Sequence, residues 1–83
     1  STGDINFSSF VMSLATQALM QMGQLESPPG VEVPVDLAGA QQTIDILAMM
    51  QQKTNGNLDQ SEEHLMEEVL HSLRMAYVRS AKG

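Results

Sequence analysis

Residues 36–56, Asp36-Leu-Ala-Gly-Ala-Gln-Gln-Thr-Ile-Asp-Ile-Leu-Ala-Met-Met-Gln-Gln-Lys-Thr-Asn-Gly56, decide the fold. Asp36 has the chemistry of an N-cap, Lys53 falls where a cation complements the helix dipole, and Asn55-Gly56 is a left-handed stop. At about 100° per residue, Leu37, Ala40, Ile44, Leu47 and Ala48 share one side, with Thr43, Ile46 and Met50 flanking them. The apolar arc covers more than half the circumference. A helix of that kind needs neighbours on two sides, which makes it the middle element of a small bundle.

The segment before it reads as a helix over about residues 8–23, ended by Gly23. Phe7, Phe10, Val11, Leu14, Ala18 and Met22 recur at spacings of three and four, and Met12 and Leu19 widen the stripe. Its other side carries Ser9, Ser13, Thr16, Gln17 and Gln24, polar but uncharged. Such a side enters a subunit contact at far lower desolvation cost than a Lys/Glu side would. Between the two helices, residues 24–36 form a Pro-rich strap. Ser27-Pro28-Pro29-Gly30 punctuates a turn, and Val31-Glu32-Val33-Pro34-Val35 alternates like an extended segment in which Pro34 forbids a central strand. After the middle helix, expected over about 37–54, Asp59 and Glu62 have the spacing of a capping box. They open a third helix over about 60–80, with Leu65, Met66, Val69, Leu70, Leu73, Ala76 and Tyr77 inward. Glu62, Glu63, Glu67 and Glu68 fill its first half, and Arg74, Arg79 and Lys82 its second, as the helix dipole favours.

The expectation is therefore one all-α domain over residues 1–83: a three-helix, up-down bundle with a strap between helices 1 and 2. Size adds a second expectation. A chain of 83 residues buries only about 60% of its unfolded surface, so a solitary core is marginal. With 42% hydrophobic residues, only 4% aromatic, and seven methionines, the core is built from small and flexible side chains. Met75 and Val78 fall on the outer side of helix 3, and the first two helices carry arcs wider than one contact. This surplus predicts a homodimer, with Phe7, Phe10, Val11, Met12, Leu14, Met50 and Met75 as contact residues and a further protein as a second kind of partner. The alternative is a monomer whose strap, through Val31, Val33 and Val35, covers the excess.

Charge and composition exclude other classes. A net charge of −6 argues against nucleic acid and anionic membrane as partners. Without cysteine there is no disulfide frame, thiolate metal site or redox thiol, which suits a cytoplasmic, reducing compartment. No signal or membrane-spanning pattern is visible, since each apolar run breaks after a few residues.

Glu68 and His71 form Glu-x-x-His, a spacing that places two metal ligands on one side of a helical turn, and His64 shares that side. The three face away from the Leu65/Val69/Leu73 stripe, so they read as solvated surface more readily than as a metal site. His71 with Met75, Met20-x-Met22 and Met49-Met50 carries soft ligand types, but methionine at helical spacing is ordinarily packing material. Asp45 is expected to pair with Arg74 in a salt bridge between helices, not to act as a catalytic base. No catalytic triad, Gly-rich phosphate loop or nucleophile elbow is present, and the reading is non-enzymatic, with no cofactor. The alternative of another class is a metal- or small-ligand-binding protein with its site at a helix or dimer seam.

Several segments together resemble a known family. Phe7-Ser8-Ser9-Phe10, Ser13-Leu14-Ala15-Thr16-Gln17-Ala18-Leu19, Gln42-Thr43-Ile44-Asp45-Ile46-Leu47, Lys53-Thr54-Asn55-Gly56-Asn57-Leu58 and Leu73-Arg74 are similar to the bacterial family catalogued as domain of unknown function 1844, over Phe7 to about Arg79. The resemblance implies a short bacterial protein, often with a polar N-terminal extension that this chain lacks. It brings no activity, cofactor or catalytic residue. His64, His71 and most methionines lie outside the matching segments.

Overall fold

A computed structural model describes residues 6–25, 29–30 and 34–82. They form three α-helices: α1 over Phe7–Gln21, α2 over Leu37–Lys53 and α3 over Gln60–Ala81, each packed on the other two. No strand occurs among the described residues. The chain is thus an all-α three-helix bundle.

Each helix is started by a short polar side chain. The Asn6 side-chain oxygen accepts from the Ser9 N–H at 2.8 Å, and Asp36 accepts from the Gly39 N–H at 2.9 Å. Asp59 and Glu62 make the reciprocal pair: the Glu62 N–H donates to Asp59 at 2.8 Å and the Asp59 N–H donates to Glu62 at 3.0 Å. At the other end of α1, Gly23 sits at φ 77°. Its N–H donates to the Met20 carbonyl, and the next N–H, of Gln24, reaches back to Leu19. That double closure is a Schellman stop, which needs a left-handed residue and so favours glycine. The helix consequently ends at Gln21, two residues earlier than its apolar pattern suggests.

Helix directions follow from the cross-links. As α1 advances from Gln17 to Gln21, its neighbour on α2 steps back from Thr43 to Gly39, so the two helices are antiparallel. Just past the end of α1, the Gln24 amide donates to the Ser80 hydroxyl in the last turn of α3 at 2.9 Å, so α1 and α3 run the same way. The path is up, down, up.

The core is one cluster: Val11, Ala15, Ala18 and Met22 from α1 and its cap; Ala40, Ile44 and Leu47 from α2; Met66, Val69, Leu70, Leu73 and Ala76 from α3. Ile44 lies at its middle, as the two-sided arc of α2 requires. Every helix contributes a buried alanine. Small side chains allow close approach of the axes, and the larger residues then fill the remaining space.

Three sequence expectations need correction or limitation. Asp45 does not bridge to Arg74; it is exposed and accepts from the Gln41 amide one turn earlier at 2.8 Å, while Arg74 is itself exposed. A long-range pair gives way to a local hydrogen bond because Asp45 projects from the back of α2. The strap lies partly outside the described residues, including Pro28, Val31 and Val33. Of its covering role, Val35 can be judged: it is 62% exposed, so most of its own side chain stands in water, although it packs beside Gly23.

Candidate functional site

The polar chemistry inside the bundle is confined to the seam between α1 and α2. Thr43 is the one buried polar residue among those described. Its hydroxyl has a single proton, placed to serve either the Gln21 side-chain oxygen at 2.9 Å or the Gly39 carbonyl one turn back at 3.1 Å. The Gln17 amide reaches the same hydroxyl at 3.5 Å. Around it, the Asp36 N–H donates to the Gln21 carbonyl at 2.7 Å, tying the start of α2 to the end of α1. Gly39 leaves room for the side chains of Asp36 and Gln21 at this junction. A β-carbon there would stand 2.8 Å from the Gln21 amide nitrogen and closer still to the Asp36 carboxylate. The arrangement is a structural clasp; no buried side-chain nitrogen or oxygen among the described residues lacks a partner to act as an unspent catalytic group.

Ionisable side chains lie outside. His64, Glu68 and His71 share the outer side of α3, as their spacing predicts, and all three are exposed. His64 Nε2 approaches a Glu68 oxygen at 3.3 Å, an ion pair only when the imidazole is protonated. Among the described residues no group of three or more His, Asp or Glu is gathered closely enough to hold a metal ion. At Asp59 the Glu62 backbone N–H, then the Ser61 hydroxyl, hold the carboxyl below its ordinary value of 3.8. That belongs to helix capping.

What the surface offers in quantity is apolar side chains. The seven residues expected to form one contact lie on different sides of the bundle. Val11 is corrected outright: at 0% exposure it belongs to the protomer's own core, because α1 turns its Val11/Ala15/Ala18 line inward. Phe7 and Leu14 pack partly against that core. Phe10, 51% exposed, and Met12, also exposed, project from opposite flanks of α1.

Phe10 lies on the α2 side. The antiparallel register set by Gln17/Thr43 and Gln21/Gly39 brings it level with half-buried Met50, and Leu14 level with exposed Ile46. Met12 lies on the α3 side, in a groove of about 310 Å³ whose walls are Met12, Ala15 and Leu19 of α1 against Leu65, Val69 and Leu73 of α3. Glu68 and Ser72 form part of its rim. Met75, 48% exposed, stands one turn beyond Ser72 on the same side of α3. The groove was not foreseen, although a signal existed: Leu65, Glu68, Ser72, Met75 and Arg79 alternate at three and four, a second stripe beside the buried one.

These observations define a small all-α bundle whose distinctive feature is uncovered apolar surface on both flanks of its first helix. Among the described residues no helix is long and apolar enough to cross a membrane. The chain belongs to the family described as Domain of unknown function (DUF1844), whose profile matches residues 4–79. No curated protein and no solved structure shows a significant match to it.

Proposed function

We propose that this protein is a non-enzymatic interaction module of the bacterial cytoplasm, which self-associates and presents its remaining apolar surface to another protein. One observation carries the reading. Phe10, Met12, Ile46, Met49, Met75 and Val78 are all exposed on an 83-residue chain, so large apolar side chains stand in water on all three helices. So many large apolar side chains left in water on so small a chain support an interaction role, and methionine adapts to irregular partners at small cost. Lack of cysteine supports a reducing compartment, and the −6 charge supports a protein partner over nucleic acid or an anionic membrane.

Sedimentation equilibrium tests it: the purified chain should have twice the protomer mass at micromolar concentration. A folded, soluble monomer at roughly 100 μM would overturn the reading, since an assembly that weak is not held by a standing interface.

A further inference from the structure

We propose that the second copy docks on the α1/α3 flank, its α3 lying antiparallel to α3 of the first across a two-fold axis between Ser72 and Met75. The inference rests on the self-association proposed above and names the surface that carries it.

The stripe is the starting point. Leu65, Glu68, Ser72, Met75, Arg79 and Lys82 alternate at spacings of three and four along the groove side of α3; Leu65 is half-buried and the rest are exposed. Positions so spaced share one side of the helix, the side a second helix would meet, and its apolar members are Leu65 and Met75. From Leu65 to Lys82 the stripe runs for roughly 26 Å at 1.5 Å per residue, long enough to engage both charged ends at once. Beyond Leu65, which packs partly against the core, its members stand exposed.

Charge then selects the occupant. The carboxylates of α3, Glu62, Glu63, Glu67 and Glu68, all precede its cations, Arg74, Arg79 and Lys82. Two copies of such a helix repel when parallel and match when antiparallel, and a two-fold contact must be complementary to itself. The antiparallel repeat has one natural register. It sets Glu68 against the partner's Arg79, Ser72 against the partner's Met75, and Leu65 against the partner's Lys82, each pairing occurring twice. Met75 then fills the space above a serine, the smallest residue of the stripe, and reaches the apolar groove that Met12 and Leu19 line. Helix dipoles also oppose in this orientation. The Phe10/Met50 flank stays open for a different protein.

Charge exchange decides the matter. Glu68→Arg and Arg79→Glu, each alone, place like charges opposite one another twice per dimer, and each should raise the dimer Kd about tenfold. An equimolar mixture of the two variants restores both opposite-charge pairings in the heterodimer, so its Kd should return to the wild-type value. Both positions are exposed, and far-UV circular dichroism of each variant reports that the helices are intact. Unchanged Kd for both variants, with a wild-type dimer that Phe10→Glu converts to monomer, would overturn this inference while leaving self-association standing. A wild-type monomer would overturn both.

Discussion

The two flanks of α1 are closed by different means. On the α2 side, Gln17, Gln21, Thr43 and the Asp36 backbone form a polar clasp at the heart of the seam, with half-buried Leu14 and Met50 beyond it. Facing α3, the seam is lined mainly by apolar side chains and carries, among the described residues, one polar tie, Gln24 to Ser80, at one end. Hydrogen bonds are directional, so the clasp admits one register of α1 on α2. Apolar contact is not, so the α3 seam does not by itself fix a register. Order within the chain and the docking we propose outside it thus fall on opposite sides of one helix.

The largest test removes what both flanks share. Ile44→Asp puts a carboxylate at the middle of the core and costs more than about 4 kcal/mol, on the scale of the whole stability of a domain this size. Circular dichroism at 25 °C should show the helices lost; a native melt would mean the inside-outside assignment is wrong. Thr43→Val attacks the clasp alone. Shape is kept while the Gln17 and Gln21 amides lose their partner, and chemical denaturation should show a loss of about 1–2 kcal/mol.

Gly39→Ala pits local preference against the junction. Helix propensity alone favours alanine by about 1 kcal/mol, yet the new methyl displaces Asp36 and Gln21. The variant should melt below wild type, and a higher Tm would show that the junction yields freely. Asp59→Ala acts away from both seams, and its effect should depend on pH. Folding lowers the Asp59 pKa, so its stabilisation is complete above the ordinary value of 3.8 and is lost as pH falls through the lower folded value. The Tm gap between variant and wild type, a few degrees at pH 7, should therefore narrow at about pH 2. Smallest of all, His71→Ala should shift stability by less than about 0.5 kcal/mol, because the side chain is exposed on the outer side of α3.

Much of this was legible beforehand wherever the cause is local. Asp36, Asp59/Glu62 and Gly23 act within a turn of themselves, and their roles follow from side-chain reach and backbone freedom. The inward line of α3 follows from its period. Val11 and Phe10 show where local reasoning ends. They are adjacent in sequence and equally apolar, yet one is sealed and the other stands in water. A helical wheel locates the middle of an apolar arc by hydrophobicity. The real inward line runs through Ala15 and Ala18, residues too small to weigh in such an average but essential to close approach. Asp45 failed for a related reason: its pairing with Arg74 needed the rotation of α2 relative to α3, which no spacing within either helix contains. The candidate contact fared likewise, because Met12 and Phe10 belong to one arc on paper and to two flanks once α2 and α3 take their places.

By itself, the sequence determined the three helices, the caps at Asp36 and at Asp59 with Glu62, the acid-to-base gradient along α3, and the absence of any thiol chemistry. These depend on periodicity and on contacts spanning a few residues. Tertiary structure alone decided that Thr43 joins α1 to α2, that Val11 goes inside, and that an apolar groove opens between α1 and α3. Each depends on where a second helix axis lies, and that position is set by the packing of all three helices together.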